Sequence, residues 1–130
     1  MEKIIQSFLE NLTTRNLDNL CNLFAENIDW LIPGDQERAS WLGQRKNKEQ
    51  IKSFFEELWR NTEPLNANIN NILNKENVAI ISGEFQTKML KTGKIVDSLF
   101  FIELTTENNK IVKYRLLEDS FAVSKALTQK

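Results

Sequence analysis

The residues best suited to chemistry in this sequence are two carboxylates, Glu118 and Asp97, each in a segment with the pattern of a strand. If Phe101 points inward, strict alternation along residues 94–105 and 110–120 turns both carboxylates toward the same apolar interior. A carboxylate among apolar side chains is expected to have a raised pKa, which suits it to give or take a proton near neutral pH. The sequence therefore predicts acid–base chemistry at Glu118 and Asp97.

Structural roles compete with this interpretation for both residues. Asp97 is also consistent with a solvated position near a strand end. Glu118 is also consistent with a buried ion pair to an arginine such as Arg45, or with hydrogen bonds from Trp30 or Trp41. The residue types alone leave these alternatives open.

The sequence contains no histidine, the commonest general base and the commonest transition-metal ligand. Zinc sites and Ser-His or Cys-His nucleophile pairs are therefore not expected. The single cysteine, Cys21, has no basic neighbour at helical spacing that would lower its pKa. We expect neither a metal nor an organic cofactor.

Size and charge limit the classes of protein that fit. A chain of 130 residues is expected to form one domain, spanning residues 1–130. Seventeen basic and eighteen acidic residues give a net charge of -1, without the basic excess that nucleic-acid binding requires. No apolar run is long enough for a membrane span or a signal peptide, and a lone cysteine fits a reducing compartment. We therefore expect a cytoplasmic protein with neither a nucleic-acid nor a membrane partner.

The pattern along the chain predicts helices first and strands afterwards. Amphipathic spacing predicts helices over 1–12, 17–26 and 47–60, and a short strand over 28–32. The strands that follow are expected at 65–73, 77–90, 94–105 and 110–120, with a short closing helix capped by Ser120. This order is typical of an α+β fold in which helices cover one face of an antiparallel sheet.

Two of the predicted strands are apolar on both faces, at residues 78–81 and 99–102. An antiparallel strand with one solvated face should alternate, so both faces of the sheet are expected to be covered. The helices can cover only one of them. Either a homodimer forms through the outer face, or more of the chain folds into the core.

Three stretches together resemble the SnoaL-like, ketosteroid-isomerase-related superfamily, which is also called nuclear transport factor two-like. They are residues 28–35, which end in Pro-Gly-Asp, residues 41–45 leading into a helix, and residues 109–119, in which an arginine precedes a Glu-Asp pair. The resemblance spans essentially the whole chain. It implies a cone-like curved antiparallel sheet packed against N-terminal helices, with an apolar pocket inside the cone.

The resemblance also argues against the best-known chemistries of the superfamily. The positions of its two sets of catalytic groups are apolar or glycine here: Phe8, Ile32 and Phe101 for ketosteroid isomerases, and about Gly83, Phe85 and Leu116 for limonene-epoxide-hydrolase-like members. None of these side chains transfers a proton or stabilises an oxyanion. Classical ketosteroid isomerase activity is therefore not expected.

What the resemblance and the strand alternation leave is a mostly aromatic and aliphatic pocket, the usual composition of a small-molecule site. The expected ligand-binding residues are Trp30, Ile32, Trp41, Phe55, Trp59, Phe85, Leu99, Phe101, Tyr114 and Leu116. One hypothesis is a protein that binds a small hydrophobic molecule, with isomerase, cyclase or hydrolase-type acid–base chemistry. The other is a non-catalytic dimeric module for ligand binding or protein interaction.

Overall fold

A computed structural model describes residues 1–129 as four helices and six strands. In chain order the elements are α1 (Glu2–Thr14), α2 (Leu17–Cys21), β1 (Phe24–Ile32), β2 (Gly43–Asn47), α3 (Lys48–Asn61), β3 (Thr62–Lys75), β4 (Val78–Met89), β5 (Ile95–Glu107), β6 (Lys110–Glu118) and α4 (Ser120–Ala126). This is the α+β fold class that the sequence predicts.

All six strands form one curved sheet in the order β2-β1-β6-β5-β4-β3. Every neighbouring pair is antiparallel except β1 and β6, which run parallel. Register shifts interrupt the β1–β2, β1–β6, β3–β4 and β5–β6 pairings, and such bulges bend and twist a strand. We call the face that carries Phe85 and Tyr114 the inner face and the opposite face the outer face.

The core lies between the inner face and the helices, and its centre is aromatic. Trp30 of β1 stacks on Tyr114 of β6 with ring centroids 4.1 Å apart and an angle of 18° between their planes. Phe54 of α3 meets Trp30 edge-on at 4.9 Å, while Phe8 of α1 contacts Tyr114 at 5.8 Å. These contacts hold α1 and α3 against the sheet.

Asparagine side chains cap two of the helices. The Asn16 side chain accepts a hydrogen bond from the Asn19 backbone N–H, and the Asn47 side chain accepts one from the Gln50 backbone N–H. At α4 the predicted cap, Ser120, was wrong: Asp119 is the N-cap, and its carboxylate accepts a hydrogen bond from the Ala122 backbone N–H. Such contacts satisfy backbone donors that have no partner within the helix.

The second helix is shorter than its spacing predicts. It ends at Cys21, and β1 begins at Phe24 instead of at residue 28. Phe24 pairs with Ile111 of β6 and is fully buried. Pairing with β6 therefore overrides the helical periodicity here. The short strand β2 lies between β1 and α3, where the sequence pattern predicts no strand.

The register of β5 corrects the predicted orientation of three residues. Directly paired residues of antiparallel strands share a face, and Phe85 pairs with Ser98. The even-numbered residues of β5 therefore face inward, whereas Asp97, Leu99 and Phe101 lie on the outer face. A one-residue difference in register moves every side chain of a strand to the other side.

Residues 1–129 leave the outer face of the sheet uncovered. Leu99, Phe101 and Leu117 are 62%, 52% and 54% exposed, and Phe101 pairs directly with Leu117 across β5 and β6. Additional core formed by residues 1–129 therefore does not account for the strands that are apolar on both faces. Within residues 1–129, no helix is long and apolar enough to cross a membrane.

Candidate functional site

A cavity of about 580 Å³ lies between the inner face of the sheet and the helices. Its wall combines aromatic side chains of α3 with strand residues from β3 to β6. The residues that line it are Leu9, Leu12, Thr13, Arg15, Trp41, Phe54, Phe55, Leu58, Trp59, Thr62, Pro64, Leu65, Asn66, Ala67, Ile69, Phe85, Thr87, Met89, Phe100, Ile102, Tyr114, Leu116, Glu118 and Val123. Its volume is in the range of small-molecule sites.

The exposed lining residues mark the mouth of the cavity. They are Thr13 at the end of α1 and residues 64–67 and 69 in the first half of β3. Leu65 and Ile69 are 46% and 42% exposed although they line the cavity. The cavity therefore opens to solvent between the C-terminal end of α1 and the edge strand β3.

Glu118 is the last residue of β6, and alternation along this strand turns it inward with Leu116 and Tyr114. It pairs across the sheet with Phe100, whose ring also lines the cavity. Burial in this apolar wall raises the pKa of the Glu118 carboxyl from its ordinary value of 4.5 to about 7, and the negative charge of Asp119 adds to the rise. Both protonation states are therefore populated near neutral pH.

No hydrogen bond or ion pair satisfies the Glu118 carboxyl within residues 1–129. Two residues that could give Glu118 a structural role, Arg45 and Trp30, form no hydrogen bond or ion pair with it. The Arg45 guanidinium donates to the backbone carbonyls of Trp41, Leu42 and Gln44. The indole N–H of Trp30 is buried without any hydrogen-bond partner in the described part of the chain. Glu118 is thus available to a molecule in the cavity.

Tyr114 places a phenol on the same wall, four residues before Glu118. Burial and the charge of Glu118 raise the pKa of its hydroxyl above the ordinary value of 10.0, so the phenol stays protonated near neutral pH. Its hydroxyl forms no hydrogen bond to another group among residues 1–129. A neutral phenol and a titratable carboxyl therefore face one cavity.

Six of the ten residues expected to contact a ligand line the cavity: Trp41, Phe55, Trp59, Phe85, Tyr114 and Leu116. Trp30 and Ile32 do not line it, because both are packed into the core at 1% exposure. Leu99 and Phe101 lie on the outer face, as does the candidate catalytic residue Asp97. Asp97 is exposed there, at 3.5 Å from the Gln86 side chain, so its predicted place inside the cone was wrong.

Several lining residues were not expected from the sequence. Phe100 and Ile102 take the inward positions on β5, and they become predictable once the turn between β4 and β5 fixes the register. Arg15 lies between the first two predicted helices, so no hydrophobic periodicity marks it as a site residue. It is placed at the cavity by the packing of α1 against α3.

In the part of the chain that the structure describes, no group of three or more Cys, Asp or Glu side chains is arranged to hold a metal ion. The charged side chains that line the cavity among these residues are Arg15 and Glu118. Proton transfer and hydrogen bonding are therefore the chemistry that the described side chains offer.

The family of the chain follows from its sequence as well as from this geometry. The sequence profile of the SnoaL-like domain matches residues 5–114, which run from α1 to the middle of β6. The chain belongs to the SnoaL-like domain family. The predicted superfamily is thereby confirmed, and the matched region includes most of the cavity wall but ends before Glu118.

Solved structures share the fold of this SnoaL-like chain at low sequence identity. An NTF2-like protein of unknown function from Burkholderia pseudomallei has a TM-score of 0.88 at 13% identity, over 98% of this chain and 96% of the other. TerC, co-crystallised with polyporic acid, has a TM-score of 0.83 at 13% identity, over 96% and 95%. A ketosteroid isomerase-like fold from Catenulispora acidiphila, in complex with trimethylamine, has a TM-score of 0.71 at 14% identity, over 87% and 82%.

These likenesses establish the architecture of the SnoaL-like chain and leave its chemistry to its own residues. No curated protein matches its sequence at a significant level. The ketosteroid isomerase positions carried over to Phe8 and Ile32 are buried in the core, and Phe101 points outward. The inward residues on either side of Phe101 are Phe100 and Ile102, which are also apolar.

Proposed function

We propose that this chain binds a small, largely apolar molecule in its cavity and that Glu118 moves a proton to or from that molecule. The observation that carries the proposal is an inward-facing carboxyl that has no partner among residues 1–129 and whose pKa is about 7 in an otherwise apolar wall. A group that titrates near the working pH is effective as both general acid and general base. Glu118 would thus be able to donate a proton to the bound molecule or to accept one from it.

The chemistry that best fits two such groups is proton transfer at a carbon next to a carbonyl. Ionised Glu118 would accept the proton as the C–H bond breaks, and the electron pair would move to the carbonyl oxygen. The Tyr114 hydroxyl would donate a hydrogen bond to that oxygen and stabilise the enolate. Protonated Glu118 would then return the proton to the same or another carbon, which gives exchange or isomerisation.

Ligands bound in proteins of similar fold support the choice of a small organic molecule. One of these proteins was co-crystallised with polyporic acid and another is in complex with trimethylamine. Aromatic side chains on α3 and β4 supply flat apolar surfaces for the ligand here. The proposed substrate is therefore a compact apolar ketone or a related carbonyl compound.

The proposal is tested with 2-tetralone, a bicyclic ketone with exchangeable protons beside its carbonyl. Binding is followed by chemical-shift changes of cavity residues, and catalysis by the rate of deuterium incorporation in D₂O. We expect shifts at Phe85 and Leu116, and exchange faster than in buffer alone. The Asp97→Asn variant is the control, since Asp97 lies on the outer face and its loss should leave the exchange rate unchanged.

The two hypotheses give different results in this experiment. Binding to the cavity without faster exchange would overturn the catalytic half of the proposal and favour a binding module. Failure of 2-tetralone and of larger apolar ketones to shift any cavity residue would overturn both halves. A rate that falls in Asp97→Asn would contradict the assignment of proton transfer to Glu118.

The exposed apolar residues of the outer face favour a homodimer, which we propose as the assembly in either case. Leu99, Phe101 and Leu117 form one cluster on two adjacent strands. Beside it lie an acidic and a basic side chain, Glu103 and Lys113, which form an ion pair at 3.7 Å. Both signs of charge around an apolar centre allow the same surface to meet itself about a two-fold axis.

Substituting Phe101 with glutamate is expected to convert the dimer into a monomer. Phe101 is 52% exposed in the single chain, so the substitution should change monomer stability little while placing a charge in the proposed interface. Light scattering should give about twice the 15.2 kDa chain mass for the wild type and the chain mass for the variant. Phe121→Glu is the control, because Phe121 is also exposed but lies on α4. A monomeric wild type at high concentration would refute the dimer.

We further propose that the protein works in a reducing compartment such as the cytoplasm. Cys21 is a buried, unpaired cysteine, and burial raises the pKa of its thiol above the ordinary value of 9.0. A buried neutral thiol reacts slowly and needs no disulfide partner. Fractionation of cells that produce the native chain tests this location directly.

A further inference from the structure

In the described part of the chain, the mouth of the cavity carries one positive charge, the guanidinium of Arg15 at the end of α1. We propose that Arg15 binds an anionic group, so that the natural ligand is an amphipathic organic acid whose carboxylate meets Arg15 while its apolar ring system lies inside the cavity. The inference rests on the proposed function, because it names the class of molecule that would occupy the same cavity.

The geometry holds the guanidinium in place without using up its donors. Arg15 donates to the carbonyl of Trp59 at 3.3 Å and to that of Thr62 at 3.5 Å, both long for such bonds. Its guanidinium carbon also lies 5.5 Å from the centroid of the Trp59 ring. A guanidinium has five N–H donors in one plane, so donors remain for the two oxygens of a carboxylate.

Among residues 1–129, no carboxylate forms an ion pair with Arg15. The ion pairs within residues 1–129 join Arg38 to Asp35, Lys48 to Glu26, Lys113 to Glu103 and Arg115 to Asp29. Partial burial lowers the pKa of Arg15 below its ordinary value, because burial disfavours the charged form. A ligand carboxylate would supply a counter-ion at the point where the cavity opens.

The backbone at Arg15 also departs from what this position ordinarily favours. Its φ of 53° and ψ of 40° are left-handed, at the C-terminal end of α1, where glycine or asparagine is usual. An arginine there is less favourable by about 1 kcal/mol. The conformation directs the chain so that the side chain reaches the junction of α3 and β3, beside the mouth.

This arrangement specifies the orientation of the ligand. The carboxylate would lie near Arg15, and the apolar body would extend inward past Phe55, Phe85 and Leu116 toward Glu118. The negative end of the molecule would thereby be kept away from the ionised Glu118. Amines and neutral molecules of the same shape would lack the contact at the mouth.

The test compares three ligands of one shape: naphthalene-2-carboxylate, 2-naphthylmethanol and 2-naphthylmethylamine. Dissociation constants are measured by calorimetry for the wild type, for Arg15→Asn and for Arg60→Gln. Asparagine tolerates the left-handed backbone, so Arg15→Asn should fold while losing the guanidinium. Arg60 is an exposed arginine in the last turn of α3 that does not line the cavity, so its variant controls for general charge effects.

We expect the wild type and Arg60→Gln to bind the carboxylate at least about tenfold more tightly than the alcohol, and the amine most weakly. In Arg15→Asn this preference should disappear while the affinity for the alcohol is kept. Equal affinities for carboxylate and alcohol in the wild type would overturn this inference alone. If Arg15→Asn loses affinity for the carboxylate and for the alcohol to the same extent, Arg15 has a structural role and this inference is wrong. If none of the three ligands binds the wild type, the proposed function itself is overturned.

Discussion

Replacing Glu118 with glutamine is expected to stabilise the protein by up to about 3 kcal/mol above pH 8, while it lowers the rate of deuterium exchange into 2-tetralone at least about 100-fold. The two effects have one cause, because the apolar surroundings that make the carboxyl useful for proton transfer also make its ionised form unfavourable. Glutamine keeps the shape of the side chain but cannot ionise or accept the proton.

The sign of the stability effect follows from the direction of the pKa shift. In the folded chain the pKa of Glu118 is raised from 4.5 to about 7, so the folded state binds a proton more tightly than the unfolded state. Folding is therefore favoured below pH 4.5, and that advantage is lost as the pH rises through 7. Each tenfold difference in proton affinity corresponds to about 1.4 kcal/mol, which gives the upper limit of about 3 kcal/mol.

Urea unfolding at pH 4.5, 6, 7 and 8 measures this difference. The curves for wild type and Glu118→Gln should nearly coincide at pH 4.5 and separate progressively above it. Asp97→Asn is the matched control, because it neutralises an exposed carboxylate of the neighbouring strand. Its effect should stay within about 0.5 kcal/mol at each pH.

A structural Glu118 would behave differently in both measurements. If the carboxylate were held by a hidden cationic partner, glutamine would lower the free energy of unfolding at neutral pH. If Glu118 were only a wall residue, the variant would gain stability and keep the full exchange rate. Gain of stability together with loss of exchange is the combination that the proposed role requires.

Glu118 lies inward as predicted although the premise of that prediction, an inward Phe101, was wrong, because β6 has an alternating pattern of its own. Along β6 the charged Arg115 alternates with Tyr114, Leu116 and Glu118. Because Tyr114 and Leu116 are apolar, this alternation indicates that their side of the strand faces the core. The environment of Glu118 was therefore expected from sequence alone. The sequence did not show that Arg45 and Trp30 make no hydrogen bond to Glu118, since this depends on where their side chains point in three dimensions.

The neighbouring strand β5 shows why the same reasoning fails where both faces are apolar. Leu99, Phe100, Phe101 and Ile102 satisfy either assignment equally well, so the periodicity carries no information about the inward face. The pairing of β4 with β5 makes the choice, and that depends on the turn between them. Because Phe85 is inward, the turn requires Phe100 to be inward and Phe101 outward.

Hydrophobic periodicity could not identify the cavity residues that lie at the ends of helices and strands, for a different reason. Arg15 and the mouth residues of β3 belong to no buried stripe, since most of β3 is exposed. Their relation to the cavity is created when the end of α1 packs beside the junction of α3 and β3. Long-range packing of this kind leaves no local signal in the sequence.

Substituting Gly83 with alanine is expected to destabilise the protein by about 2–4 kcal/mol and to weaken binding of naphthalene-2-carboxylate at least about tenfold. A Cβ at Gly83 would overlap the backbone oxygen of Asn68 on β3 and would lie 2.8 Å from the ring of Phe100. The carbonyl is part of a paired strand, so it cannot move without displacing β3. Unfolding in urea and calorimetry measure the two effects.

The second effect follows because both neighbours of Gly83 shape the cavity. Phe100 lines it directly, while residues next to Asn68 form its mouth, so relief of either clash changes the site. Gly93→Ala is the matched control: its φ of 75° disfavours alanine by about 1 kcal/mol, but no atom lies within 4 Å of the added Cβ. It should therefore lose a little stability and no affinity. Gly83 lies in ordinary strand conformation, so equal losses in the two variants would contradict a steric role for the close approach of β3 to β4 at position 83.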